Sequence, residues 1–170
     1  ATLDPSDSRT ALQSFRVQGK TCVSNALPVA VNDLPEVTEV EPGGRSNRPG
    51  ALKLPVIVNG RIDRPGDWDV FRFAGRAGQQ VVAEVTARRL DSPVDSVLEL
   101  TDTAGKRLAF NDDHEDKADA LHTLHADSLL NFTLPADGSY FVRLGDAQHQ
   151  GGPEFAYRLR ISPPRPDFAL

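Results

Sequence analysis

The chain has 170 residues, 39% of them hydrophobic, with thirteen glycines, a net charge of −5 and one cysteine, Cys22. That length suits one domain, and the apolar content is enough for a packed core, which excludes a disordered chain. No apolar run is long enough to cross a membrane as a helix, and a lone cysteine excludes both an internal disulfide framework and a Cys-rich zinc site. The chain opens without Met and without a charged segment leading into an apolar one, as an excised or processed piece would. Acids are 17 Asp against 7 Glu, and bases 15 Arg against 4 Lys. Asp favours turns over helices, so this bias argues against an α-rich protein. Residues 91–127 carry ten acids and three bases, so that window holds −7 and the remainder +2. Such a surface is wrong for nucleic acid, which needs basic groups. It suits a cation or a solvated face.

In chain order, residues 1–35 read as an N-terminal extension. Two short apolar pieces, Phe15-Arg16-Val17 and Leu27-Pro28-Val29-Ala30-Val31, sit there among polar residues. Two short strands bury little surface alone, so they either add to the main sheet or end a preceding domain. From 36 to 162 the apolar period is two. Strands are predicted at 54–62, 68–73, 79–87, 96–101, 107–110, 128–134, 140–145 and 155–161. Turn signals fall at Asn59-Gly60, Pro65-Gly66, Arg76-Ala77-Gly78, Ala104-Gly105 and Asp137-Gly138. About eight strands joined by turns rather than helices mean an all-β, antiparallel β-sandwich. Its predicted core is Val81, Val85, Leu98, Leu100, Leu130, Phe132, Tyr140, Val142, Tyr157 and Leu159. Residues 115–126 are read as a loop with one or two helical turns, and 163–170 as a Pro-rich linker.

Two acidic groups stand out. Glu36, Glu39 and Glu41 precede Asp63, Asp67 and Asp69, and Asp69 shares strand parity with Phe71 and Phe73. A carboxylate on that core-facing side needs a backbone amide, an Arg or a metal. The second group follows from a repeated segment, Asp95-Ser96-Val97-Leu98-Glu99-Leu100 and Asp127-Ser128-Leu129-Leu130-Asn131-Phe132, with Asn111-Asp112-Asp113 between the two copies. Adjacent strand ends would bring Asp95, Asp112, Asp113 and Asp127 to one oxygen-rich rim of the kind Ca²⁺ takes. The competing reading of both groups is ordinary turn residues bonding their own backbone.

Catalysis finds little support. His122 and His125 stand three apart, but no Glu base lies between them in the zincin arrangement. Ser96 and Ser128 fall on the core face, outside any Gly-x-Ser-x-Gly elbow. Carbohydrate binding wants exposed planar aromatics. Tyr140 and Tyr157 point inward by alternation, which leaves Trp68 alone as a platform.

Glu39-Val40-Glu41-Pro42, then Val56-Ile57-Val58-Asn59-Gly60-Arg61-Ile62, then Gly66-Asp67-Trp68-Asp69-Val70-Phe71-Arg72-Phe73 resemble the opening of a bacterial pre-peptidase C-terminal domain. Leu98-Glu99-Leu100, Ala104-Gly105, Asn111-Asp112-Asp113 and the run from Leu134 through Val142 continue the resemblance in the family's order, over 36–162. It implies a jelly-roll-like sandwich related in architecture to the collagen-binding domains of secreted clostridial collagenases, a non-catalytic appendage. In family members that bind calcium, the site uses a Glu-x-Glu-Pro-Asn segment and Asp residues at the start of a later strand. Carried over, Glu39, Glu41, Asp67 and Asp69 match, while Gly43 and Gly44 stand where Asn or Asp is common. The segment before Glu36 resembles the tail of an immunoglobulin-like domain.

The resulting expectation is a non-enzymatic accessory module of a multidomain bacterial protein, extracellular, at the cell surface or periplasmic. Its role is structural, spacing or anchoring, with calcium as the candidate cofactor. The expected partners are neighbouring domains of the parent chain and an extracellular polymer, protein or polysaccharide. Neither nucleic acid nor membrane insertion is expected. The alternative is a carbohydrate-binding module.

Overall fold

Alternation of inward and outward side chains builds the strands, and the two faces it creates determine how they stack. The computed structural model describes residues 11–40, 50–116 and 123–165. Its strands are β1 (Ala11–Phe15), β2 (Leu27–Val31), β3 (Glu36–Thr38), β4 (Ala51–Leu52), β5 (Val56–Arg61), β6 (Trp68–Gly75) and β7 (Gln80–Thr86), followed by β8 (Ser96–Thr101), β9 (Arg107–Asn111), β10 (His114–Asp116), β11 (Thr123–His125), β12 (Leu129–Thr133), β13 (Gly138–Asp146) and β14 (Ala156–Ser162). Two five-stranded sheets, ordered β12-β7-β14-β5-β3 and β4-β6-β13-β8-β9, form the sandwich.

The eight predicted strands are all present. Most pairs are antiparallel, but each sheet ends in a short parallel strand that alternation did not reveal, β3 beside β5 and β4 beside β6. Two- and three-residue strands are too short to show a period. The extension forms a separate hairpin, β1 with β2, and joins neither large sheet.

Two expectations are corrected. The stretch 115–126, read as a loop with one or two helical turns, is extended at its described ends, β10 pairing antiparallel with β11, while 117–122 lie outside the described residues. Its Asp, His and Thr residues have weak helix propensity, and a hairpin satisfies their backbone groups as well. Asn59-Gly60 is not a turn but lies inside β5, opposite Arg158 and Tyr157 of β14.

The core lies between the sheets. Phe73, Val85, Leu98, Val142, Leu144, Leu159 and Ile161 are fully buried, and the Phe73 and Tyr140 rings stack with centroids 5.9 Å apart. Of the ten predicted core residues, nine are buried; Phe132 is half-buried against their edge. Both core tyrosines need partners for their hydroxyls. Tyr140 donates to the Ala136 carbonyl at 2.7 Å, and Tyr157 reaches the first acidic group.

Candidate functional site

At one rim of the sandwich, β3, β5, β6 and β14 bring acidic side chains against a tyrosine. Asp69 follows Trp68 at the start of β6, and the parity that buries Phe71 and Phe73 buries it too, at 0% exposure. Tyr157, near the start of β14, is 3% exposed and donates to Asp69 Oδ2 at 2.7 Å; its hydroxyl also lies 3.0 Å from Glu39 Oε2. Glu39 leaves the end of β3, held by its backbone N–H bonding to the Asn59 carbonyl at 2.9 Å, and its Oε2 accepts the Arg61 N–H at 3.3 Å. Asp67 joins from the turn before β6, with Oδ1 accepting the Trp68 N–H at 3.2 Å.

Gly60 makes this close approach possible. A Cβ there would overlap the Tyr157 hydroxyl and Glu39 Oε2. Gly60→Ala is therefore expected to cost about 1–3 kcal/mol through overpacking, read as a lower melting temperature. A Gly60→Ala variant melting like the parent would show that the rim has slack.

The electrostatics follow from crowding. Burial first, and then the neighbouring Glu39 charge, push Asp69 up to about 9, against the opposing pull of the Tyr157 hydrogen bond. Burial and the same carboxylates hold Tyr157 well above its ordinary value. Two buried carboxylate oxygens, Asp67 Oδ2 and Asp69 Oδ1, have no hydrogen-bond partner among the described residues. Unsatisfied buried acceptors are costly, and a cation is one way to satisfy them. No three His, Cys, Asp or Glu side chains among the described residues are drawn together tightly enough to hold an ion as they stand. The Tyr157 hydroxyl occupies the space between Glu39 and Asp69. Glu41, with Gly43 and Gly44, lies outside the described residues.

The second acidic group shares a rim but spends its carboxylates separately. The Ser96 N–H bonds the Ala126 carbonyl, and the Leu129 N–H bonds Asn111 Oδ1, so the three strand ends are neighbours. Asp127 is buried and caps the 3-10 turn Arg88–Leu90, accepting the N–H groups of Ala87, Arg88 and Arg89 and the Arg89 Nε at 2.8 Å. Asp95 accepts from Gln148, while Asp112 and Asp113 face solvent. Ser96 and Ser128, both fully buried, bond each other across the two strands, the Ser128 N–H donating to Ser96 Oγ at 2.7 Å. The repeated segment is thus a reciprocal serine clip. His122 and the His125 side chain lie outside the described residues.

Sequence reasoning missed Tyr157 as a member of the first group, although its inward parity was legible, and missed Gly60 as the cradle beneath it. It also missed Asp146, buried at the end of β13, which accepts the N–H groups of Asp95, Gln148 and Gln150.

Fold and site together define a β-sandwich module with a buried acidic rim. No protein-family model matches the chain. Over 82 residues, 48% of the chain, it is 42% identical to a probable subtilase-type serine protease of Deinococcus radiodurans, and it spans only 10% of that relative's length. Among solved structures it is similar to the pre-peptidase C-terminal domain of a collagenase from Bacillus anthracis, at 14% identity and a TM-score of 0.49, covering 77% of this chain and 100% of that one. It is also similar to PliG of Aeromonas hydrophila, a periplasmic inhibitor of g-type lysozyme, at 11% identity and a TM-score of 0.48, covering 75% and 96%.

Proposed function

We propose that this chain is a non-catalytic accessory module of an exported multidomain bacterial protein, its fold stabilised by a calcium ion at the rim of Glu39, Asp67 and Asp69. The observation that carries the cation is the pair of buried, unpartnered oxygens on Asp67 and Asp69 beside the Glu39 carboxylate. The donors are all oxygen, as a hard cation requires, and Glu41 is the further carboxylate the motif supplies. Bound there, calcium would neutralise the crowded charge, with Tyr157 orienting Asp69 and Glu39.

The accessory reading is supported by the small share of a protease-length relative that the matched segment represents. It is supported also by the serines, which bond each other rather than a base. The carbohydrate reading is weakened by the surroundings of Trp68. Its ring lies against Gly145, where a Cβ would fall 2.8 Å from it, and the Arg143 guanidinium sits 5.0 Å from the ring centroid. A sugar would have to displace that guanidinium.

Millimolar Ca²⁺ is expected to raise the melting temperature, adding about 2.7 kcal/mol at a hundred times its Kd. Asp69→Ala or Glu41→Ala should remove the gain. Loss of the gain in Asp113→Ala instead would move the site to the second rim. A melting curve indifferent to both calcium and chelator would overturn the cation. Peptide, ester and glycoside hydrolysis should be absent with or without zinc, and activity abolished by His122→Ala or His125→Ala would overturn the non-catalytic reading.

A further inference from the structure

We infer that the sandwich hangs from its parent chain by one end, as a side lobe, with the acidic rim at the opposite end. The chain enters β3 through Pro35, whose carbonyl accepts the Ile57 N–H at 2.9 Å. It leaves through β14, where Ile161 lies opposite Val56. The points of entrance and departure therefore flank the same end of β5, one on each side, two strand spacings or about 10 Å apart. A pair joining Arg165 Nη1 to Asp33 Oδ1 at 2.8 Å spans the two. Both partners are solvent-exposed, so this pair marks proximity rather than supplying stability.

The preceding hairpin keeps the same arrangement. Ala11 pairs with Val31, so β1 begins where β2 ends, two residues before Asp33. Leu12 and Val31 of that hairpin line one groove with Ile57, Val82, Pro164 and Arg165, which gathers both flanks over the outer face of one sheet. Glu39, Gly60 and Tyr157 lie at the other end of β5, whose six residues span about 17 Å.

A module in this position adds about 10 Å to the path of the chain, not the length of the sandwich. It is a poor spacer. What it does is present its far rim at the end opposite its root, although the preceding hairpin runs along the outer face as far as the Arg88–Leu90 turn at that end. The side-lobe role rests on the accessory-module reading, but the geometry is tested independently of calcium and of catalysis.

The test is a spin-label distance measurement on the whole chain carrying Cys22→Ser. One variant adds Pro35→Cys with Pro163→Cys, and a second adds Pro35→Cys with Ala156→Cys at the far end of β14. The first pair should be the closer, by about 8 Å, because both share the lateral offset of about 10 Å and only the second adds the length of the ladder at right angles to it. Asp33→Ala should leave that ordering intact, because the ladder and not the ion pair sets it. Equal distances, or a shorter second pair, would overturn the inference. In a companion experiment, fluorescent proteins fused to both termini should show more energy transfer when the chain is folded than in denaturant. Transfer no higher in the folded chain would also overturn it. Retained melting behaviour with failed calcium binding would defeat the cation and leave the side lobe standing.

Discussion

Truncating Phe73 to alanine is expected to cost about 3–5 kcal/mol, a large share of the stability of a domain this size. Phe73 is completely buried on β6, stacks on Tyr140, and belongs to the contiguous core between the two sheets. Removing the ring deletes buried apolar surface and leaves a cavity that a close-packed sandwich fills only in part. Phe132→Ala is the internal control. Its side chain is half-buried at the edge of the core, so it should cost distinctly less. The measurement is the denaturant midpoint at constant slope. Equal losses for the two variants would mean that the core is not centred where Phe73 lies.

That comparison shows where alternation is informative and where it stops. Period-two patterning located every strand of six or more residues, because a half-buried strand must alternate, and it turned Asp69 and Tyr157 inward correctly. It ranked Phe132 with the core because parity gives the face of a side chain and not its distance from the sheet edge. β3 and β4 escaped because three and two residues carry no period, and because parallel pairing brings distant segments together. The first acidic group was legible as a cluster of carboxylates with one on a core-facing position. The role of Gly60 was not, since Asn-Gly is a turn signal unless a neighbouring strand places a hydroxyl above it. Asp127 looked like a cation ligand because a capping carboxylate and a metal-binding one occupy similar strand ends.

Without calcium, stability is expected to fall as the pH rises between about 4 and about 9. Asp69 is pushed up to about 9 in the folded chain, while its ordinary value is 3.8. Across that window the folded state holds a proton that the unfolded chain has released, so raising the pH favours unfolding, by on the order of 1 kcal/mol per pH unit from this group alone. Glu84 and Glu36 act in the opposite sense and in a lower window. Burial would raise both, but Arg160 and Arg89 hold Glu84 down and Arg158 and Asn59 hold Glu36 down, so their contribution is lost only as the pH falls below the ordinary carboxylate range. Asp69→Asn, which mimics the protonated acid, should flatten the decline and make the calcium-free chain the more stable one at pH 8. Because the cation needs the ionised carboxylates, its stabilising effect should grow with pH in the parent and vanish in the variant. A calcium-free chain with level stability from pH 5 to 9, or an Asn variant with the parental slope, would contradict the assignment.

The placement of β3 and β14 on either side of one end of β5 also decides how the module would respond to tension. Pulling at Asp33 and Arg165 loads both strands from the same end, so the ladder is peeled one rung at a time rather than sheared with all rungs sharing the force. The Pro35–Ile57 bond and the Val56–Ile161 rung would part first. The contact of Glu39 and Asp69 through the Tyr157 hydroxyl would part last, at the far end of the same two strands. The lobe would thus yield at low force from its root outward, and any ion at the rim would act as the stop at the end of a zip rather than as a lock at its opening.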